Sequence, residues 1–127
     1  MDKEFIPHQP SLDMKELGFN EPCFKVYDKM GYLQDQQVML DLGLDWCSAP
    51  IYSQAFRFFR EEHKLFCDIS VDVTDSKISF YYTITRLIEF KNKLGAGVIV
   101  EEFNVPSYKE AELACLIKLI EIAKSAK

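Results

Sequence analysis

The residues Pro106-Ser-Tyr-Lys-Glu-Ala-Glu-Leu-Ala-Cys-Leu-Ile-Lys-Leu-Ile-Glu-Ile-Ala-Lys-Ser125, close to the end of a 127-residue chain, read as one amphipathic helix. Ser107 followed three positions later by Glu110 is a capping-box pattern, which satisfies two backbone donors that a helix start leaves unpaired. At about 100° per residue, Tyr108, Ala111, Cys115, Leu116, Leu119, Ile122 and Ala123 fall on one side. Lys109, Glu110, Lys118, Glu121, Lys124 and Ser125 fall on the other, where Leu113, Ile117 and Ile120 widen the apolar arc. So wide an arc calls for a sheet or two helices beneath it.

The residues just upstream supply a sheet. Cys67, Ile69, Val71 and Val73 alternate with Asp68, Ser70 and Asp72, the pattern of a half-buried strand. Thr74-Asp-Ser-Lys77 reads as a hairpin loop, and Ile78, Phe80, Tyr82 and Ile84 continue the alternation in an antiparallel partner. A second turn is expected over Asn92–Gly97, and a third strand over Val98–Val105 leads into the helix.

Earlier in the chain the signals are shorter. Residues 1–10, with two prolines, read as an extended lead-in. Ser11 is placed to cap a helix over Leu12–Leu17, closed by Gly18 in the left-handed region. Cys23–Asp28 and Gln37–Asp41 read as strands, and Gly43–Pro50 as a loop holding the single tryptophan, Trp46. Ile51–Lys64 returns to helical spacing, with Tyr52, Ala55, Phe56 and Phe59 facing inward. Ala49-Pro-Ile-Tyr-Ser-Gln-Ala and Val105-Pro-Ser-Tyr-Lys-Glu-Ala share Pro, Tyr and Ala at equal spacing, each opening a helix; Ile51 stands where Ser107 caps. The expected fold is a single α+β domain over residues 1–127. It has a mainly antiparallel sheet of about five strands, two main helices on one face and a short N-terminal helix.

Composition narrows the function. A hydrophobic share of 48% against 28% charged belongs to a folded chain. The formal charge of −5 opposes a whole-molecule grip on nucleic acid or on an anionic membrane. No apolar run is long enough to span a bilayer, and the first residues carry no signal-peptide pattern, so the cytoplasm is the expected compartment. Cys23, Cys47, Cys67 and Cys115 form no CxxC pair and read as reduced, buried thiols, without a metal site.

No motif of phosphate binding, zinc hydrolysis or calcium binding occurs, so neither catalytic residues nor a cofactor are assigned. His63 and Cys67 are the only near histidine–cysteine pair, at the end of a helix and on the following strand, which disfavours a nucleophile–base role. A local basic segment is present: Lys77, Arg86, Lys91 and Lys93 gather near the last hairpin, with Tyr81 and Thr83 on its polar face. A sheet face of this kind can stack and hydrogen-bond single-stranded nucleic acid, although the acidic balance of the chain disfavours that use.

Three blocks together carry a resemblance: Lys15-Glu-Leu-Gly-Phe-Asn-Glu-Pro-Cys-Phe24, Ala49-Pro-Ile-Tyr-Ser-Gln-Ala-Phe-Arg-Phe-Phe-Arg60, and Tyr108-Lys-Glu-Ala-Glu-Leu-Ala-Cys-Leu-Ile-Lys-Leu-Ile-Glu121. In that order they resemble small uncharacterised proteins of Bacteroidales genomes and of the phages and mobile elements of those bacteria. The resemblance implies an origin near mobile DNA and assigns no activity, cofactor or site residue.

The expectation is therefore a small non-enzymatic interaction module that binds a protein partner or self-associates. The alternative is a nucleic-acid accessory protein using the basic hairpin around residues 77–93. Trp46, Tyr81, Thr83, Arg86, Lys91 and Lys93 are the candidate interaction residues. Glu112 falls near the middle of the apolar stripe, where a buried carboxylate needs a partner: either the first turns of the helix project past the sheet edge and leave it wet, complementing the helix dipole, or Arg57 or Arg60 of the preceding helix, or a tyrosine hydroxyl, holds it.

Overall fold

Every strand pairs antiparallel, but in two separate three-stranded sheets rather than one sheet of about five strands. The computed structural model describes residues 4–126, apart from the side chain of residue 90. The first three residues of the expected lead-in lie outside them. The chain divides into two compact units, Met1–Ala55 and Phe56–Lys127, and the division falls within a helix.

In the first unit the helix α1 (His8–Glu16) is followed by β1 (Lys25–Tyr27), β2 (Leu33–Gln34), α2 (Gln36–Leu42) and β3 (Cys47–Ala49). The sheet order is β2-β1-β3. The lead-in ends earlier than expected, because α1 already starts at His8. Ser11 is therefore inside α1 and does not cap it; its buried hydroxyl donates to the Ile6 carbonyl at 3.1 Å. The Tyr27 hydroxyl donates to the same oxygen at 2.6 Å, so one carbonyl joins α1 to β1. Gly18 closes α1 at φ 103°, a conformation that suits glycine, while the Phe19 amide donates back to the Met14 carbonyl.

Gln37–Asp41, expected as a strand, is helical within α2. Only Met39 of that helix is buried, so the Val-Met-Leu run has no alternating inner face to pair. Gln37 Nε2 donates to Asp41 Oδ1 at 2.8 Å, an i,i+4 bond that a strand cannot make. The expected loop after Gly43 in turn contains β3, whose three residues pair with β1.

The helix α3 (Tyr52–His63) opens at the Pro-x-Tyr stretch. Where Ile51 offers no hydroxyl, the Gln54 side chain accepts from the Ile51 amide at 3.1 Å and donates to the Pro22 carbonyl at 3.0 Å. Lys64, at φ 57°, ends the helix and returns its ammonium to the Glu61 carbonyl.

The second unit holds a meander of long strands, β4 (Leu65–Thr74), β5 (Lys77–Phe90) and β6 (Lys93–Val105), followed by α4 (Tyr108–Ser125). Both hairpins turn on two residues with positive φ, Asp75-Ser76 and Lys91-Asn92, the backbone of tight turns whose twist matches the strands. The second turn is thus shorter than the expected Asn92–Gly97, and both glycines there lie in β6. Two register shifts interrupt β5–β6, and Asn104 at φ 62° lies in one of them.

The α4 helix packs on β5 and also touches β4 and β6. Ser107 caps it as expected, its Oγ accepting from the Glu110 amide at 3.2 Å. Its buried stripe is Ala111, Glu112, Cys115, Leu116, Leu119, Ile120 and Ala123, set against Leu65, Tyr82 and Ile84 of the sheet. Cys67 of β4 and Cys115 of α4 form a disulfide, which corrects the expectation of four reduced thiols. Cys115 lies on the helix stripe and Cys67 on the covered sheet face, so docking brings together sulfurs 48 residues apart in the chain. Cys23 and Cys47 remain free.

Candidate functional site

The meander has two faces, assigned by its alternation and register. Even-numbered residues of β5 and odd-numbered residues of β4 face α4: Cys67, Ile69, Val71 and Val73 lie beside Ile84, Tyr82, Phe80 and Ile78. The helix covers this face unevenly. Tyr82 and Ile84 are buried, whereas Val71 (56%), Val73 (66%) and Ile78 (66%) are exposed at the hairpin end. Their side chains are cross-strand neighbours, Val71 opposite Phe80 and Val73 opposite Ile78, so they form one contiguous apolar patch. Phe80 meets Tyr108, the first residue of α4, edge to face at 6.0 Å, and the patch starts where that helix starts.

On the opposite face Tyr81 stacks on Phe103 with ring centroids 5.2 Å apart. Thr83, two residues on, is directly opposite Asp68 in β4 and Glu101 in β6. Arg86 has the other parity and belongs to the α4 side, where it lines a cleft of about 450 Å³ with Val100, Lys118 and Glu121. Lys118 and Glu121, one turn apart on α4, pair along one wall of that cleft at 3.3 Å. Lys91 and Lys93 are exposed at the β5–β6 turn. The basic-hairpin residues therefore do not share one surface: Thr83 sits between two carboxylates, Tyr81 stacks on Phe103 on the same face, and Arg86 lies on the α4 side of the sheet. Two acids flanking Thr83 repel a phosphate backbone laid over that face.

Trp46 immediately precedes β3 and is half-buried. It lines a cleft of about 280 Å³ in the first unit, together with His8, Lys15, Tyr27, Asp45 and Cys47. The His8 ring lies 5.1 Å from that of Tyr27. Asp28, at the same cleft, spends its carboxylate on its own turn: Oδ1 accepts from the amides of Met30 and Tyr32, and Oδ2 from the Gln34 amide group at 3.1 Å. These bonds, that from Tyr32 foremost, hold its pKa below the usual value. Burial raises the Cys47 thiol, with Lys15 opposing, and pushes Cys23 up to about 11.

Glu112 is buried, its side chain 10% exposed. Its Oε1 lies 3.2 Å from the ammonium of Lys109, one turn back on α4, as an ion pair without the alignment of a hydrogen bond. The charge described for it thus comes from its own helix. Arg57 and Arg60 are exposed on α3. His63 packs its ring on Phe58 and Phe59, at 5.2 and 5.6 Å.

The exposed patch Val71, Val73 and Ile78 did not emerge from the sequence as a site. The alternation reveals a strand, but which part of it a helix covers depends on how the two dock. Among the described residues no group of three or more His, Cys, Asp or Glu is placed to hold a metal, and no helix is long and apolar enough to cross a membrane. No protein-family model, curated protein or solved structure matches the chain.

Proposed function

We propose that this protein is a small non-enzymatic interaction module, and that it binds a protein partner through the hairpin end of the β4–β5 sheet. The observation that supports this reading is the contiguous apolar patch of Val71, Val73 and Ile78, on the same sheet face as the core yet open to solvent. Apolar side chains scattered singly over a surface need no explanation; a cross-strand group continuous with a core is the kind of surface that partners cover. The resemblance to small proteins of Bacteroidales and their mobile elements supports seeking the partner in such a host.

The test is affinity capture from Bacteroidales lysate, with and without nuclease, by the wild-type chain and by the Val73→Asp, Ile78→Asp double variant. The expected result is a discrete protein held in both arms by wild type and lost by the variant, whose melting temperature stays unchanged. Recovery that disappears with nuclease would instead support the nucleic-acid reading, and capture unaffected by the double variant would move the interface elsewhere.

A further inference from the structure

We infer that the outer edge of β4 accepts an extended peptide as a fourth strand, and that the peptide alternates apolar with basic residues. This rests on the interaction reading above and specifies its partner. In the order β4-β5-β6, β4 is an edge strand. The Leu87 amide donates to the Lys64 carbonyl, directly in line with the β4–β5 register, and Thr74 and Lys77 flank the two-residue turn. In an antiparallel ladder every second pair carries the bonds, so the even-numbered residues of β4 bond to β5. The peptide groups of Ile69, Val71 and Val73 therefore point away from the sheet, and no described bond within this unit uses them. An exposed row of that kind is a template for a further strand.

The side chains say what sequence the strand carries. Ile69, Val71 and Val73 direct apolar surface to the α4 side, continuous with Ile78. Asp68 and Asp72 project on the opposite face, and no described cation pairs with either. A strand laid antiparallel along residues 73 to 68 places apolar, basic, apolar, polar, apolar and basic side chains against them in turn. A second copy of this chain brings no cation to these carboxylates. Antiparallel pairing of β4 with itself about Ser70 sets Asp68 against Asp72 twice, pairing about Val71 sets them against Thr74 and Ser70, and the other edge, β6, carries Glu101 and Glu102.

The test uses fluorescence anisotropy on the full chain with a labelled peptide, acetyl-Val-Lys-Val-Thr-Val-Lys-amide. Its comparators are the Val-Glu-Val-Thr-Val-Glu peptide and the basic peptide N-methylated at alternate positions. The expected result is saturable binding of the basic peptide only. Asp68→Lys with Asp72→Lys should weaken it about tenfold or more and transfer preference to the acidic peptide. Hydrogen exchange should slow at the amides of Val71 and Val73 when the basic peptide is present. Equal binding of the acidic peptide, binding that survives N-methylation in both registers, or no binding would each overturn the inference. If peptide binding fails while Val73→Asp, Ile78→Asp still abolishes partner capture, the interaction reading stands and edge addition alone falls.

Discussion

Glu112→Met should make the protein more stable, although it removes an ion pair. The carboxylate side chain is 10% exposed, with Oε1 3.2 Å from Lys109 Nζ, and the lysine side chain is 42% exposed. Taking a carboxylate out of water costs several kcal/mol, and only a well-aligned partner offsets it. The Lys109 side chain keeps part of its surface in water, which screens its attraction to Glu112 to no more than about 1 kcal/mol. Methionine has a similar length, no charge and a flexible stem that fits irregular gaps. The net expectation is a gain of about 1 kcal/mol, or about 4 °C in melting temperature for a chain of this size. Lys109→Met alone should cost about 1 kcal/mol by stranding the carboxylate, and should be nearly neutral in the Glu112→Met background. Urea unfolding at pH 7, followed by circular dichroism on the four proteins of the cycle, gives these values. A loss of more than about 1 kcal/mol in Glu112→Met would refute the reasoning. So would a coupling of Glu112 to Arg57 or Arg60 larger than that to Lys109, since the carboxylate would then be holding the preceding helix.

Three further outcomes are expected. Alkylation of unreduced, denatured protein should label two cysteines, Cys23 and Cys47, and four labels would remove the Cys67–Cys115 bridge; breaking the bridge should cost up to about 4 kcal/mol, the chain-entropy value for a closed loop of that length. Because burial raises Cys23 to about 11, its iodoacetamide reaction in folded protein should be slow at pH 8 and gain about tenfold per pH unit until that value is approached. The same raised pKa favours the native state below about pH 9, and that contribution is lost as pH climbs toward 11, which pH-dependent melting checks. Trp46→Ala should cost about 2 kcal/mol, less than a fully buried indole, because Trp46 is half in water; an unchanged melting temperature would show that it carries no packing in its cleft.

Local chemistry alone determined much of the second unit. The two-residue alternation of Cys67–Val73 and Ile78–Ile84, and the Ser107 cap with its apolar stripe, appear in the structure as β4, β5 and α4. Each is a property of neighbouring residues, so a sequence window contains it. The first unit was less legible because its strands are only two or three residues long, too short to display a period. Gln37–Asp41 shows the same difficulty, since a run with one buried side chain identifies neither helix nor strand. Only tertiary structure decided that the strands separate into two sheets and that β4 is an edge. It also decided that α4 leaves Val71, Val73 and Ile78 open and that Cys67 meets Cys115. These depend on register and docking, where groups distant in the chain compete for the same partners and no local pattern reports the winner.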